Sequence, residues 1–274
     1  MNKALSGGGS SAGHFRWKRP PFIANPVLRY GLLAAFVVYF AYVFNTLEVN
    51  PARIARGIPR AMQIFSSAIP PDFSARGKLI FTGFVESIQI TFLATFAGVL
   101  LSIPFAFAAA RNIAILPIYG LGRGIIIVAR SLHPVVLGVL FVKAVGFGAF
   151  AGVLTLIIYT LGFVGKLLAE AIEEIKHGQI EAIRSTGAGY FSVLVYAVLP
   201  QIMPRLIGLT MYQLDINLRA SAVIGLVGAG GIGNTLNSAF GRYDYGTASA
   251  ILLIMIVIIL FAESVSSRLR RFTK

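Results

Sequence analysis

The sequence predicts an all-α membrane protein of about six transmembrane helices, on three observations. The first is composition: 57% of the 274 residues are hydrophobic and only 12% are charged, where a soluble domain carries roughly 25% charged residues. So little charged surface cannot cover a water-facing globule of this size, and the apolar surplus has to face a bilayer. The second is a set of six apolar runs of about the 20 residues a bilayer needs, near 29–47, 84–109, 123–145, 149–170, 205–227 and 248–265. The third is that no alternating apolar/polar segments recur at regular spacing, which argues against a transmembrane β-barrel.

Taken in order, residues 1–28 read as a cytoplasmic tail, partly disordered through the Gly/Ser-rich stretch Ser6–Gly13. Arg16, Lys18, Arg19 and Arg29 precede the first apolar run. That run is longer than a signal-peptide core and no small-residue cleavage site follows it, so it reads as a retained span. The transmembrane domain extends over 29–268, and 269–274 form a second cytoplasmic tail. Pro104 falls inside the second span, where neighbouring helices can re-satisfy the freed carbonyl. Both termini carry basic clusters, the second being Arg268, Arg270, Arg271 and Lys274, which places both in the cytoplasm. Six spans then put the 171–204 loop there too, with Arg111 and Arg123. The segment 48–80 lies outside despite Arg53, Arg56, Arg60, Arg76 and Lys78. The helical spacing of Arg53, Arg56 and Arg60 explains it as an amphipathic helix lying on the membrane surface.

The net charge of +14 does not indicate nucleic acid, because the basic residues sit at the ends of apolar runs and form no single patch. Membrane lipid is the partner they imply. With no cysteine, disulfides and thiolate metal sites are excluded. His14, His133 and His177 are too far apart for metal-ligand spacing. No metal site, Ser/His/Asp constellation or other catalytic group is visible, so the chain reads as a non-enzyme. Gly228-Ala229-Gly230-Gly231-Ile232-Gly233 spells a dinucleotide fingerprint, but it follows a membrane span and not a strand. Its glycines suit close helix contact or a re-entrant bend. No Walker A pattern exists, so nucleotide chemistry would need a partner.

Charges at membrane depth usually face a cavity or a partner. Asp215 lies ten residues past Arg205, about 15 Å along a helix and near mid-bilayer. Arg219 follows at i+4, so the two can pair on one face. Gln213, Asn217 and Ser221 repeat every four residues on an adjoining stripe. Either the pair neutralises itself and fixes packing, or the stripe lines a translocation path on which Arg219 attracts an anion. Arg130, Ser131 and His133, before Pro134, form the other candidate lining group, with interhelical hydrogen bonding as the alternative.

The most polar stretch is the 171–204 loop. Four of the ten acidic residues, Glu170, Glu173, Glu174 and Glu181, fall within twelve positions. A short helix is predicted from about Gln179 to Thr186, stopped by Gly187 and Gly189. One acid, one base and small residues on such a helix suit insertion into a groove on a partner; a solvated connector is the alternative. Residues 181–200 resemble the signature of ABC-importer permeases: Glu181, Ala182, Gly187, Leu199 and Pro200 match at the right spacing, while Ile183 and Ala197 depart from it. The runs 86–90, 109–112, 165–173 and 225–233 are similar to the phosphonate-importer branch of that family, which also serves phosphite and related oxyanions.

The resemblance implies a type I ABC importer permease in a bacterial cytoplasmic membrane, with a cytoplasmic coupling helix. Glu181, Ala182, Arg184 and Gly187 would meet the ATPase, and Gly228, Gly230, Gly231 and Gly233 would lie near the outer gate. It implies a homodimer, two ABC ATPase subunits that bind ATP and Mg, and an extracytoplasmic solute-binding protein. The cargo would be phosphonate or a related phosphorus oxyanion. The competing reading is a secondary transporter or channel for small anions with no ATPase, which predicts inverted repeats and ion-coordinating acids in the spans.

Overall fold

A computed structural model describes residues 25–47, 50–74 and 76–272. The N-terminal tail through residue 24, with Arg16, Lys18 and Arg19, lies outside the described residues, as does Lys274. By Cα packing the chain forms two units, residues 1–61 and 62–274.

In the first unit, α1 (Pro26–Thr46) starts where the Asn25 side chain accepts the Val27 amide at 3.0 Å and Pro26 fixes the first turn. It is apolar all round and exposed along its length, as suits a lipid-facing span. After it comes α2 (Pro51–Ser67), which runs past the boundary at residue 61 and is capped by Asn50, whose side chain accepts from Ala52 and Arg53 at 3.0 and 3.2 Å. Arg53, Arg56 and Arg60 share one face of α2, and Ile54 and Ile58 lie on the other. This is the amphipathic helix expected from the arginine spacing.

The second unit is a helical bundle. Its members are α3 (Gly77–Ala108), α4 (Leu116–Ser131), α5 (Pro134–Val145), α6 (Ala149–Glu173), α7 (His177–Ser185), α8 (Tyr190–Val193), α9 (Leu199–Gly225), α10 (Ile232–Gly241) and α11 (Tyr245–Phe272). No strand occurs among the described residues. Among the described residues five helices are long and apolar enough to cross a membrane, six if the bent α4–α5 pair counts as one span.

The second span begins at Gly77, seven residues before the predicted 84 and within the segment read as external, and two further spans differ more. The run 123–145 is not one rod: α4 and α5 meet at 93° across Leu132–His133, because Pro134 has no amide to donate and disfavours helix at the residue before it. The fifth span begins well before 205. Helix runs from Tyr190 through a widened turn at Leu194–Val198 into α9, the widening falling just ahead of the amide-lacking Pro200.

The core lies where α3, α6 and α9 meet. Toward one end Ile126, Val164, Leu168, Ile172, Ile202 and Leu206 pack together; toward the other are Ile80, Ile232, Leu236 and Ile251. Between them sits a fully buried polar knot. Asn217 donates to Thr95 and Thr160, each at 2.9 Å, and Gln213 donates to Asn217 at 2.9 Å and Thr160 at 3.2 Å. Hydrogen bonds of this kind join helices where lipid supplies no hydrophobic drive. Asn217→Ala is expected to cost about 1–3 kcal/mol by removing three buried hydrogen bonds at once, those to Thr95 and Thr160 and that from Gln213, read as a lowered unfolding midpoint in detergent.

Candidate functional site

At one end of the bundle, α7 stands on Ile180, which is buried, and Ile183, which packs against the same apolar cluster. The departure at Ile183 from the importer signature is therefore an inward-facing packing residue. Glu181, Ala182, Arg184 and Gly187 are exposed. The helix stops as expected: Gly187 takes φ 79° and its amide returns to the Arg184 carbonyl at 3.0 Å.

The residues behind α7 form a clamp that the sequence did not announce. Glu173 Oε1 accepts from the Arg111 amide at 2.8 Å and from the Arg123 guanidinium at 2.9 Å. Arg123 Nε also donates to the Ala109 carbonyl at 2.9 Å, and the Asn112 side chain donates to the Ile172 carbonyl at 2.7 Å. Three residues after Glu173, at the start of α7, the Lys176 amide donates to Gln201 on α9 at 3.1 Å. The segment leading into α7 is thus tied to the α3–α4 connection, to α4 and to α9.

At the opposite end, the glycines Gly228, Gly230, Gly231 and Gly233 make the turn from α9 into α10. The Gly148 amide donates to the Gly228 carbonyl at 3.0 Å, and the Ile232 amide donates to Ser87 Oγ at 2.9 Å. Gly231 has φ 75°, and a Cβ there would press on Ser87 Oγ, so no larger residue fits. The turn is pinned to α3 and to the start of α6. It follows a helix and carries no nucleotide-binding βαβ unit.

Between these ends, at the α4–α5 break, lies a cavity of about 400 Å³. Arg130, His133, Tyr159 and Arg219 line it. Three of the five residues assigned from sequence to a pathway thus share one cavity. Asp215 reaches it only through Arg219, whose guanidinium it pairs with. The Asp215 side chain is 7% exposed and that of Arg219 49%, so the carboxylate is buried and the guanidinium opens outward. Asn217 lies elsewhere: it is fully buried in the polar knot with Gln213. Tyr159 had no signal in its apolar run. Ser131 bonds back to the Val128 carbonyl at 2.8 Å and is absent from the lining. Gly162 on α6 admits α4 here, since a Cβ would come within 2.9 Å of Arg130 Cγ.

Residues 102–273 match the family model described as binding-protein-dependent transport system inner membrane component. The chain belongs to that family. This inner-membrane component is 38% identical to the phosphate-import permease protein PhnE of Mycolicibacterium smegmatis, over 91% of this chain and 48% of that protein. It is 37% identical to the phosphite transport system permease protein PtxC of Stutzerimonas stutzeri, over 82% of each. The chain thus spans about half the length of the first relative. Among solved structures, the permease resembles a chain of the inward-facing MetNI methionine ABC transporter, with a TM-score of 0.63, 24% identity and coverage of 73% of this chain and 99% of that one. It also resembles a chain of an amino acid ABC transporter, with a TM-score of 0.60, 24% identity and coverage of 71% and 94%. The fold is that of a type I ABC importer permease.

The four runs that carried the resemblance touch in pairs. Ser87 in the first binds Ile232 in the fourth, and Arg111 and Asn112 in the second bind Glu173 and Ile172 in the third. They frame the two ends of one bundle.

Proposed function

We propose that this permease carries phosphonate or a related phosphorus oxyanion across the cytoplasmic membrane, driven by a separate ATPase. The observation that carries the reading is α7: a short helix presenting Glu181, Ala182, Arg184 and Gly187 outward, its N-terminal approach clamped to the α3–α4 connection, α4 and α9. A motor docked there would move three elements together. Two of them, α4 and α9, bring Arg130 and Arg219 to the cavity. The cargo class rests on relatives named for phosphate and phosphite import and on the positive charge of that cavity.

In this reading the α7 end is cytoplasmic, with both termini on that side, and the Gly228–Gly233 turn is the outer gate. Two copies of the chain enclose the path, so that Arg130, His133 and Arg219, open on one chain, face inward in the pair. Two ABC ATPase subunits hold ATP and Mg, and an extracytoplasmic binding protein delivers the anion. The chain itself makes no covalent change to its cargo.

Uptake into proteoliposomes tests this directly. With ATPase and ATP inside and binding protein outside, radiolabelled phosphite, phosphate or methylphosphonate accumulates, and replacing ATP by ADP stops it. Uptake that persists without ATP would overturn the reading in favour of a secondary transporter or channel.

A further inference from the structure

We infer that the cavity at the α4–α5 break is an oxyanion subsite in which His133 Nε2–H donates to a tetrahedral phosphorus oxyanion held between Arg130 and Arg219. The inference rests on the import reading above and names the groups that hold the cargo in transit.

His133 caps α5. Its Nδ1 accepts the Val135 amide at 3.3 Å, so in the neutral ring the proton sits on Nε2. That nitrogen is a donor, on an exposed ring that lines the cavity. Capping alone does not account for histidine here. Ser, Thr, Asn and Asp are the residues preferred at a helix N-cap, and none of them keeps a second polar atom so far from the backbone. Histidine caps with one nitrogen and leaves the other for a ligand.

The charges point the same way. Arg130 forms no ion pair among the described residues. Arg219 has one carboxylate partner, Asp215, and about half of its side chain remains open. Two guanidiniums against one carboxylate leave one net positive charge at the cavity. A charge at membrane depth is costly unless something pairs with it. An oxyanion supplies that partner, and its oxygens match the planar guanidinium fork. The cavity of about 400 Å³ leaves room for water beside a small oxyanion. A small oxyanion therefore enters with part of its hydration shell, as suits a site that must release its cargo.

The test uses the complete transporter in proteoliposomes with radiolabelled phosphate and methylphosphonate. His133→Asn and His133→Asp both retain a good N-cap while removing the distant donor. Uptake by His133→Asn is expected to fall about tenfold, the loss of one hydrogen bond to a charged acceptor, with assembly unchanged. His133→Asp falls further, because it adds a carboxylate. Wild-type uptake in both variants would mean that His133 is a cap only, and would overturn the subsite while leaving the import reading intact. Absence of uptake by the wild type would instead remove the import reading, and the subsite with it. A second measurement needs no variant: phosphate is expected to slow modification of His133 by diethylpyrocarbonate in the wild-type complex, located by peptide mapping. A rate unchanged by phosphate would contradict the subsite.

Discussion

Gly233→Val is expected to remove the folded permease from the membrane. A Cβ at Gly233 would overlap the Ala222 carbonyl and press on Gly225 Cα, so the clash is with backbone of α9 and not with a side chain that can swing aside. The turn into α10 cannot open without breaking its ties to Ser87 and Gly148. Overpacking at such a contact costs about 3 kcal/mol or more, a large share of typical total stability. Gly241→Ala provides the contrast: nothing lies within 4 Å of a Cβ there, and near wild-type yield is expected. Detergent-solubilised, monodisperse yield is the readout. Equal recovery of the two variants would show that the close contact is not required.

Glu173→Ala is expected to uncouple transport from ATP hydrolysis. The carboxylate joins the end of α6 to the Arg111 amide and to Arg123 on α4, four residues ahead of α7. Arg123 precedes Arg130 by seven positions, two helical turns along the same face. Without Glu173, displacement of α7 still reaches α9 through Gln201 but loses its charged hydrogen-bonded link to α4. Hydrogen bonds to charged groups are worth about 1.5–3 kcal/mol, so phosphate uptake per ATP hydrolysed should fall about tenfold to a hundredfold. Glu173→Gln keeps an acceptor for Arg111 and loses the charge, so its loss should be intermediate. If uptake and hydrolysis declined in parallel, Glu173 would serve stability and not transmission.

What the sequence made legible follows from how local each feature is. The pairing of Asp215 with Arg219 rests on i,i+4 spacing within one helix, and the structure shows it. The stop at Gly187 and the arginine face of α2 are equally local. The stripe Gln213, Asn217 and Ser221 was correctly seen as a stripe, yet periodicity cannot tell whether a polar face meets water or other polar groups. Thr95 and Thr160, on two other helices, decide that for Asn217 by taking both of its amide hydrogens. The Glu173 clamp spans 50 and 62 residues, and no local pattern encodes it. The bend at Pro134 was not foreseen, since 123–145 read as one apolar run. That the bend would open a cavity joining Arg130, His133 and Arg219 depends on α9 packing beside it, which only the fold supplies.

The central claim is that a separate ATPase grips this permease through α7. The chain has no cysteine, so a single Ala182→Cys provides a unique attachment point on the exposed face of α7. In the assembled transporter, a short thiol-reactive crosslinker at Cys-substituted position 182 should join the permease to the ATPase, and a cysteine at exposed Leu100 should not. Joining should also arrest ATP-driven uptake. No crosslink from α7, in a complex that still takes up phosphate with ATP, would contradict the account.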